Sequence, residues 1–239
     1  MWETFVEGFT QSFIVDNRWR YMATGLKNTL LVTVCALGLG VVLGVLIAVI
    51  RSTYEQGRRD LQGFGGFMLK LLNGISKVYL TVIRGTPVAI QILIMYFIIF
   101  GQSRNTILAA VLAFGINSGA YVAEIVRGGI MGVDSGQMEA GRSLGLGYLQ
   151  TMWYIVVPQA IKSILPSLGN ELITLLKETS VCTFIGLTDI TKGATIIQGR
   201  TFLPFFPLIG AALIYLMLVM ILSFLLGKVE GRLRSSDRR

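Results

Sequence analysis

Histidine is absent from this 239-residue chain. A Ser-His-Asp relay needs an imidazole to take the serine proton, so that chemistry is excluded. The short pattern "GRSLG" at 141–145 fits G-x-S-x-G, but the motif also needs a strand-to-helix turn on a sheet, and its neighbours are long apolar stretches. Only two cysteines occur, Cys35 and Cys182, each inside an apolar run. No metal spacing or disulfide framework can be built from them, and they read as small packing residues. Charge is scarce at 14%, against about 25% in a soluble domain. There is no G-x-x-x-x-G-K-[ST], hence no P-loop to hold ATP. The first residues, "MWETFVEGFT", are acidic and lack a basic n-region, so no cleavable signal peptide is expected.

What fills the chain instead is apolar: 53% of residues are hydrophobic and the mean hydropathy is +0.68. This composition is that of a polytopic membrane protein. The net charge of +8 does not point to nucleic acid, because the basic residues are spread between apolar blocks. That is the pattern of Lys and Arg fixing orientation in a bilayer.

Charge-free runs cover 28–50, 85–103, 105–123 and 201–227. The first has 23 residues, about 34 Å as a helix and enough to cross a core of about 30 Å. A further candidate, 163–187, is interrupted by Glu171, Lys177 and Glu178. With their flanks, the expected spans are 28–50, 68–101, 105–131, 163–187 and 203–227. Basic residues in the connections divide unevenly. One side holds Arg51, Arg58, Arg59, Lys70, Arg127, Arg142, Lys162, Lys228, Arg232, Arg234, Arg238 and Arg239; the other holds Arg18, Arg20, Lys27, Arg104, Lys192 and Arg200. The richer side is cytoplasmic. The fold class is thus an all-α polytopic membrane protein, one transmembrane domain over 1–239, with five transmembrane helices. Its N-terminus is outside, its C-terminus cytoplasmic, and 228–239 form a basic cytoplasmic tail. Without the interrupted span, four would remain and both ends would share one side. Trp2, Phe5, Val6, Phe9 and Phe13 repeat at helical spacing, which predicts an interfacial helix within 1–20. Gly40 and Gly44, with Gly38 nearby, offer close helix packing.

The connection 134–160 lies on the basic side. Loops of that length are usually functional. Leu144, Tyr148, Met152, Ile155 and Val156 recur at helical intervals, and Gly145 and Gly147 offer a break between two short helices. Apolar side chains on such a loop need a cover, either a partner or the chain's own helix ends.

Glu139, Ala140 and Gly141, then Gly145, then Ile155, Val156, Val157 and Pro158 resemble the EAA signature of bacterial ABC importer permeases. That signature is E-A-A, three residues, G, nine residues, I-x-L-P. Gly141 stands for the second Ala and Val157 for Leu. "VIRGTPVAIQILIMY" at 82–96, "INSGAYVAEIVRGGI" at 116–130 and "ILPSLGNELITLLKETS" at 164–180 are similar to the subfamily for polar amino acids (histidine, arginine, glutamine, glutamate, cystine, opines). The likeness covers about 28–234. It implies a coupling loop between spans 3 and 4 that seats in a separate ATPase subunit. It also implies a second permease copy or homologue, an extracytoplasmic substrate-binding protein, and ATP and Mg bound by the ATPase partner. No cofactor or metal is expected in this chain, nor catalysis by it. Glu139 would meet a basic residue of the ATPase, Ala140 and Gly141 would allow close backbone approach, Gly145 would permit the turn, and Pro158 would begin the next helix. The binding protein would touch the outside loops, including 102–105 and 191–207.

Charged and polar residues within spans suggest a function. Pro87 removes an amide donor and crowds the carbonyl of Ile83, so the helix should bend or open beside Arg84, Gly85 and Thr86. Asn117, Ser118, Asn170 and Glu171 lie in other spans. A zwitterionic substrate needs donors for its carboxylate and an acid or carbonyl for its amine, which Arg84, Thr86, Asn117, Ser118, Asn170 and Glu171 can supply. Glu124 and Arg127, three apart on one face, can pair with each other. Two other readings stay open: an ATP-independent channel or carrier, and a non-transporting membrane scaffold.

Overall fold

The computed structural model describes residues 2–56, 63–101 and 105–236, and their regular structure is entirely helical. Arg58, Arg59, Arg104, Arg238 and Arg239 of the charge count, and 102–104 of the expected outside loop, lie outside the described residues. The helices are α1 (Trp2–Phe9), α2 (Trp19–Gln56), α3 (Gly63–Gly85), α4 (Val88–Ile94), α5 (Thr106–Met131), α6 (Ser135–Ser143), α7 (Tyr148–Thr151), α8 (Val157–Glu178), α9 (Ile190–Thr201) and α10 (Phe205–Ser236).

Among the described residues, four helices are long and apolar enough to cross a membrane: Trp19–Glu55, Gly63–Gly85, Thr106–Met131 and Phe205–Leu233. Several boundaries differ from those read in the sequence. The 28–50 run is the middle of a 38-residue helix, about 57 Å long. The expected 68–101 span is two pieces, because α3 stops at Gly85 and α4 starts at Val88. Pro87, without an N–H, cannot continue the ladder to the Ile83 carbonyl; beside it, Thr86 Oγ1 donates to the Val82 carbonyl at 2.8 Å. The interrupted 163–187 region is α8, a 22-residue helix that carries Pro166 inside it, followed by a tighter turn over Thr179–Ile185. Its length, about 33 Å, would suffice to cross, but it is not among the four apolar spans. The helix expected within 1–20 ends at Phe9, and α2 begins already at Trp19.

The chain packs as two compact units. The first comprises 1–37, 88–115 and 172–225, the second 38–87, 116–171 and 226–239. The first unit has two apolar cores. One gathers Val32, Ala36, Ile92, Phe114, Leu175 and Ile185; the other gathers Met22, Ile190, Ala194, Ile197 and Ala211. A buried carboxylate, Asp189, caps α9 by accepting from the amides of Thr191 and Lys192, both at 3.0 Å, and Tyr215 Oη donates to it at 3.3 Å. Burial pushes the Asp189 pKa up, and the amide donors oppose that shift. α2 passes so close that a Cβ on Gly25 would lie 2.4 Å from the Asp189 carbonyl oxygen. α1 packs on the start of α10 through Phe5 and Phe206, ring centroids 5.1 Å apart. α9 ends on Phe202, left-handed at φ +57 and 87% exposed.

The second unit is built from smaller residues. Ala48, Val122, Val126, Ala160 and Ile164 form one core, and Leu80, Ala120 and Ala123 another. Gly40 faces Ser118 and Gly44 faces Val122, so α2 and α5 run parallel along a seam of small residues. A Cβ on Gly44 would sit 2.6 Å from the Val122 Cβ, whereas Gly38 faces open space. The close approach expected of the glycine pair is therefore made by Gly40 and Gly44 and not by Gly38.

Candidate substrate site and coupling hairpin

Every candidate site residue falls in the second unit. Asn117 and Ser118 are buried on α5, and Ser118 Oγ donates to Glu171 Oε1 of α8 at 2.8 Å. The half-buried Glu171 thus keeps one carboxylate oxygen anchored. A carboxylate's second oxygen is a further acceptor of the kind an ammonium needs. Arg84 ends α3 with its guanidinium 5.6 Å from the centre of the Tyr121 ring on α5, a cation–π distance. Gly85 is exposed, with open space where a Cβ would stand. Asn170 donates back to the Pro166 carbonyl of its own helix at 3.2 Å, and Thr86 also bonds within its own helix. Ser118 and Glu171 are therefore joined directly, while Asn170 and Thr86 spend these bonds locally.

Two contributors were not singled out in the sequence. Tyr121 carries the Arg84 contact, and Tyr79 Oη donates to the Ile116 carbonyl, tying α3 to α5 just before Asn117. Tyr121 stands one turn after Ser118, a spacing that could have flagged it.

The second feature is the hairpin after α5. Asp134 Oδ1 accepts from the Gly136 amide at 2.7 Å and starts α6, as N-caps do. α6 ends with Gly145 at φ +84. The Leu146 amide donates to the Gly141 carbonyl and the Gly145 amide to the Arg142 carbonyl. This is the paired closure of a helix C-terminus that needs a left-handed residue, which glycine adopts without a Cβ penalty. The chain then turns at Gly147, whose amide donates to Gln150 Oε1. Gly141 is buried, and a Cβ there would lie 2.5 Å from Thr151 Cγ2 and 3.1 Å from Ile155 Cδ1. That crowding explains why glycine stands where the signature has alanine. Pro158 is the second residue of α8, but α8 runs on without a break from α7 through a wider helical stretch over Met152–Val156, so Pro158 does not begin a new helix as expected. Glu139 and Ala140 are exposed on α6. Beyond them the hairpin exposes large apolar side chains, Leu144 at 80% and Trp153 at 69%, with Leu149 and Tyr154. Burial on the hairpin also pushes the Tyr148 phenol up.

Apolar helices of membrane-crossing length, a carboxylate on α8 anchored to α5 and a capped helical hairpin joining those two helices suit a multi-pass membrane subunit. Residues 64–235 match the family described as the binding-protein-dependent transport system inner membrane component, and the chain belongs to it. It is thus an ABC transporter permease component and a multi-pass inner-membrane protein. It is 38% identical over 220 residues to the arginine transport system permease protein ArtQ of Bacillus subtilis, covering 91% of this chain and 94% of that one. It is 36% identical over 215 residues to the glutamine transport system permease protein GlnP of Escherichia coli, covering 88% and 91%. Among solved structures, a crystal structure of an amino acid ABC transporter with histidines superimposes with a TM-score of 0.80 at 39% identity, covering 92% of this chain and 98% of that one. An inward-facing structure of the MetNI methionine ABC transporter shares the fold, with a TM-score of 0.72 at 18% identity over 89% and 95% of the two chains.

Proposed function

We propose that this chain is the permease subunit of an ATP-driven importer that moves a polar amino acid into the cytoplasm by alternating access. Support for the substrate class comes from the relatives named for arginine and glutamine transport and from the Ser118–Glu171 pair. Glu171 accepts the substrate ammonium, and Arg84, Thr86 and Asn117 supply cationic and polar contacts to its carboxylate. Five spans, with α8 the fourth and the broken α3–α4 segment the second, place the N-terminus outside. The parallel course of α2 and α5 supports α3–α4 as a single crossing, since an odd number of crossings must lie between them.

The observation that carries the reading is the hairpin with its exposed Glu139 and exposed apolar residues. An ATPase subunit binds there, holding ATP and Mg itself. Closure of the ATPase pair swings the spans attached to α6 and α8, a rigid-body switch between two packings, biased by contacts that differ between the states. The working assembly holds two ATPases, a second permease copy or homologue, and an extracytoplasmic binding protein that meets the outside loops, including 191–207.

The test is reconstitution of the complex in vesicles with a panel of labelled amino acids. ATP-dependent uptake that needs the binding protein is the expected result. Equal uptake without the ATPase would replace this reading with a channel or carrier, and assembly without any uptake would favour a scaffold.

A further inference from the structure

At the hairpin end of the α2–α5 seam, four charges alternate around a closed ring. Arg51 Nη1 lies 2.7 Å from Glu124 Oε1, Arg51 Nη2 3.4 Å from Glu55, Arg127 Nη2 2.8 Å from Glu124, and Arg127 Nη1 3.8 Å from Glu55. Two contacts lie within one helix and two run between α2 and α5. All four side chains are partly shielded, with 15–33% of each exposed, so water screens them less than a surface pair. Arg51 Nε is buried without a hydrogen-bond partner among the described residues, an expensive arrangement for a residue that only filled space.

The order of signs is informative. α2 presents plus then minus at 51 and 55; α5 presents minus then plus at 124 and 127. A slip of α2 by one turn in one direction sets Glu55 against Glu124. A slip in the other sets Arg51 against Arg127. Both displaced registers juxtapose like charges in a shielded site. The seam of Gly40, Gly44 and Ala48 next to it sets the separation of the helices and resists a slip in one direction only, since that slip would bring the Ala48 Cβ against Val122, which a Cβ at Gly44 already could not clear. A slip the other way leaves a glycine, Gly40, at that level, and there the charges alone oppose it.

We propose that Arg51, Glu55, Glu124 and Arg127 form a register lock that makes α2 and α5 move as one body, so that a push on the hairpin following α5 is delivered to α2 as well. This rests on the function proposed above. Arg51 and Glu55 are positioning residues: they reach neither the hairpin nor the Ser118–Glu171 pair through any of these bonds, and act through α5.

The lock is tested in the complete complex in vesicles by the number of ATP molecules hydrolysed per solute imported. Arg51→Gln and Glu55→Gln should assemble with the ATPase yet raise that ratio about fivefold. The quadruple reversal Arg51→Glu, Glu55→Arg, Glu124→Arg and Arg127→Glu rebuilds the alternation and should return the ratio to within about twofold of the starting protein. A merely structural role would lower the melting temperature and leave the ratio alone; that outcome overturns the proposal. A second readout needs no uptake. Spin labels at exposed Val49 on α2 and at Gly128 on α5, where a side chain has open space, are placed in a background lacking Cys35 and Cys182. Their distance should stay constant with and without ATP, and should broaden in Arg51→Glu. A nucleotide-dependent shift of about one helical turn, 5.4 Å, would overturn the lock. A complex that binds ATPase but imports nothing fails the importer reading instead, with the label distance still deciding the lock.

Discussion

Asp189 and Glu171 are both acids kept away from full solvent exposure, one in each packing unit, and they are used differently. Asp189 is surrounded by donors of its own unit: two amides at the start of α9 and the Tyr215 hydroxyl. Its neighbours are large aliphatic residues, and nothing about it invites a ligand. Glu171 is held, among the described residues, by Ser118 at one oxygen, in a unit whose cores rely on Ala and Gly and whose helices carry Arg51, Glu55, Glu124 and Arg127. A carboxylate engaged at both oxygens stabilises a fold; one held at a single oxygen keeps capacity for a guest. The difference teaches where to look for function in a chain with so few charges.

Replacing Glu171 by Ala should break the comparison most visibly. Uptake should fall at least about tenfold, the loss of a charged contact of about 1.5–3 kcal/mol, while ATPase binding survives; transport assays on the purified complex check both. Unchanged uptake kinetics would remove Glu171 from the site. Gly44→Val is next. Its side chain collides with Val122 and the Ala123 backbone, and should cost about 1–3 kcal/mol, read as a lower melting temperature in detergent. Asp189→Ala removes a cap from the other unit at about 1 kcal/mol; the melting temperature should fall while uptake per folded complex holds. Gly145→Ala should cost about 1 kcal/mol through its positive φ, seen as weaker ATPase binding more than as a lower melting temperature. Gly38→Ala should be the smallest effect. It meets open space and should stabilise α2 by up to about 1 kcal/mol, a direction opposite to Gly44→Val on the same helix.

Local rules carried much of this into the sequence. The helix break at Pro87 is a property of one residue and its neighbours, and it is legible. So is the hairpin, because Gly145 and the spacing from Glu139 are local too. Pairing across the fold was not. Ser118 and Glu171 are 53 residues apart, and only packing of α5 on α8 joins them. Arg51 reads as one more orienting charge at a span end; its contact with Glu124 lies 73 residues away. Glu124 and Arg127, by contrast, pair within one turn as expected. The limits of α8 were obscured for a different reason. Glu171, Lys177 and Glu178 interrupt its hydropathy, and the helix runs on through Pro166.

The chain has three tryptophans. Trp2 and Trp19 belong to the first unit, and Trp153 alone stands on the hairpin, largely bare. An indole in that position emits in a polar environment and shifts to shorter wavelength once covered. With Trp2 and Trp19 changed to Phe, the protein carries an intrinsic optical gauge of whatever settles over its hairpin, readable without any added dye.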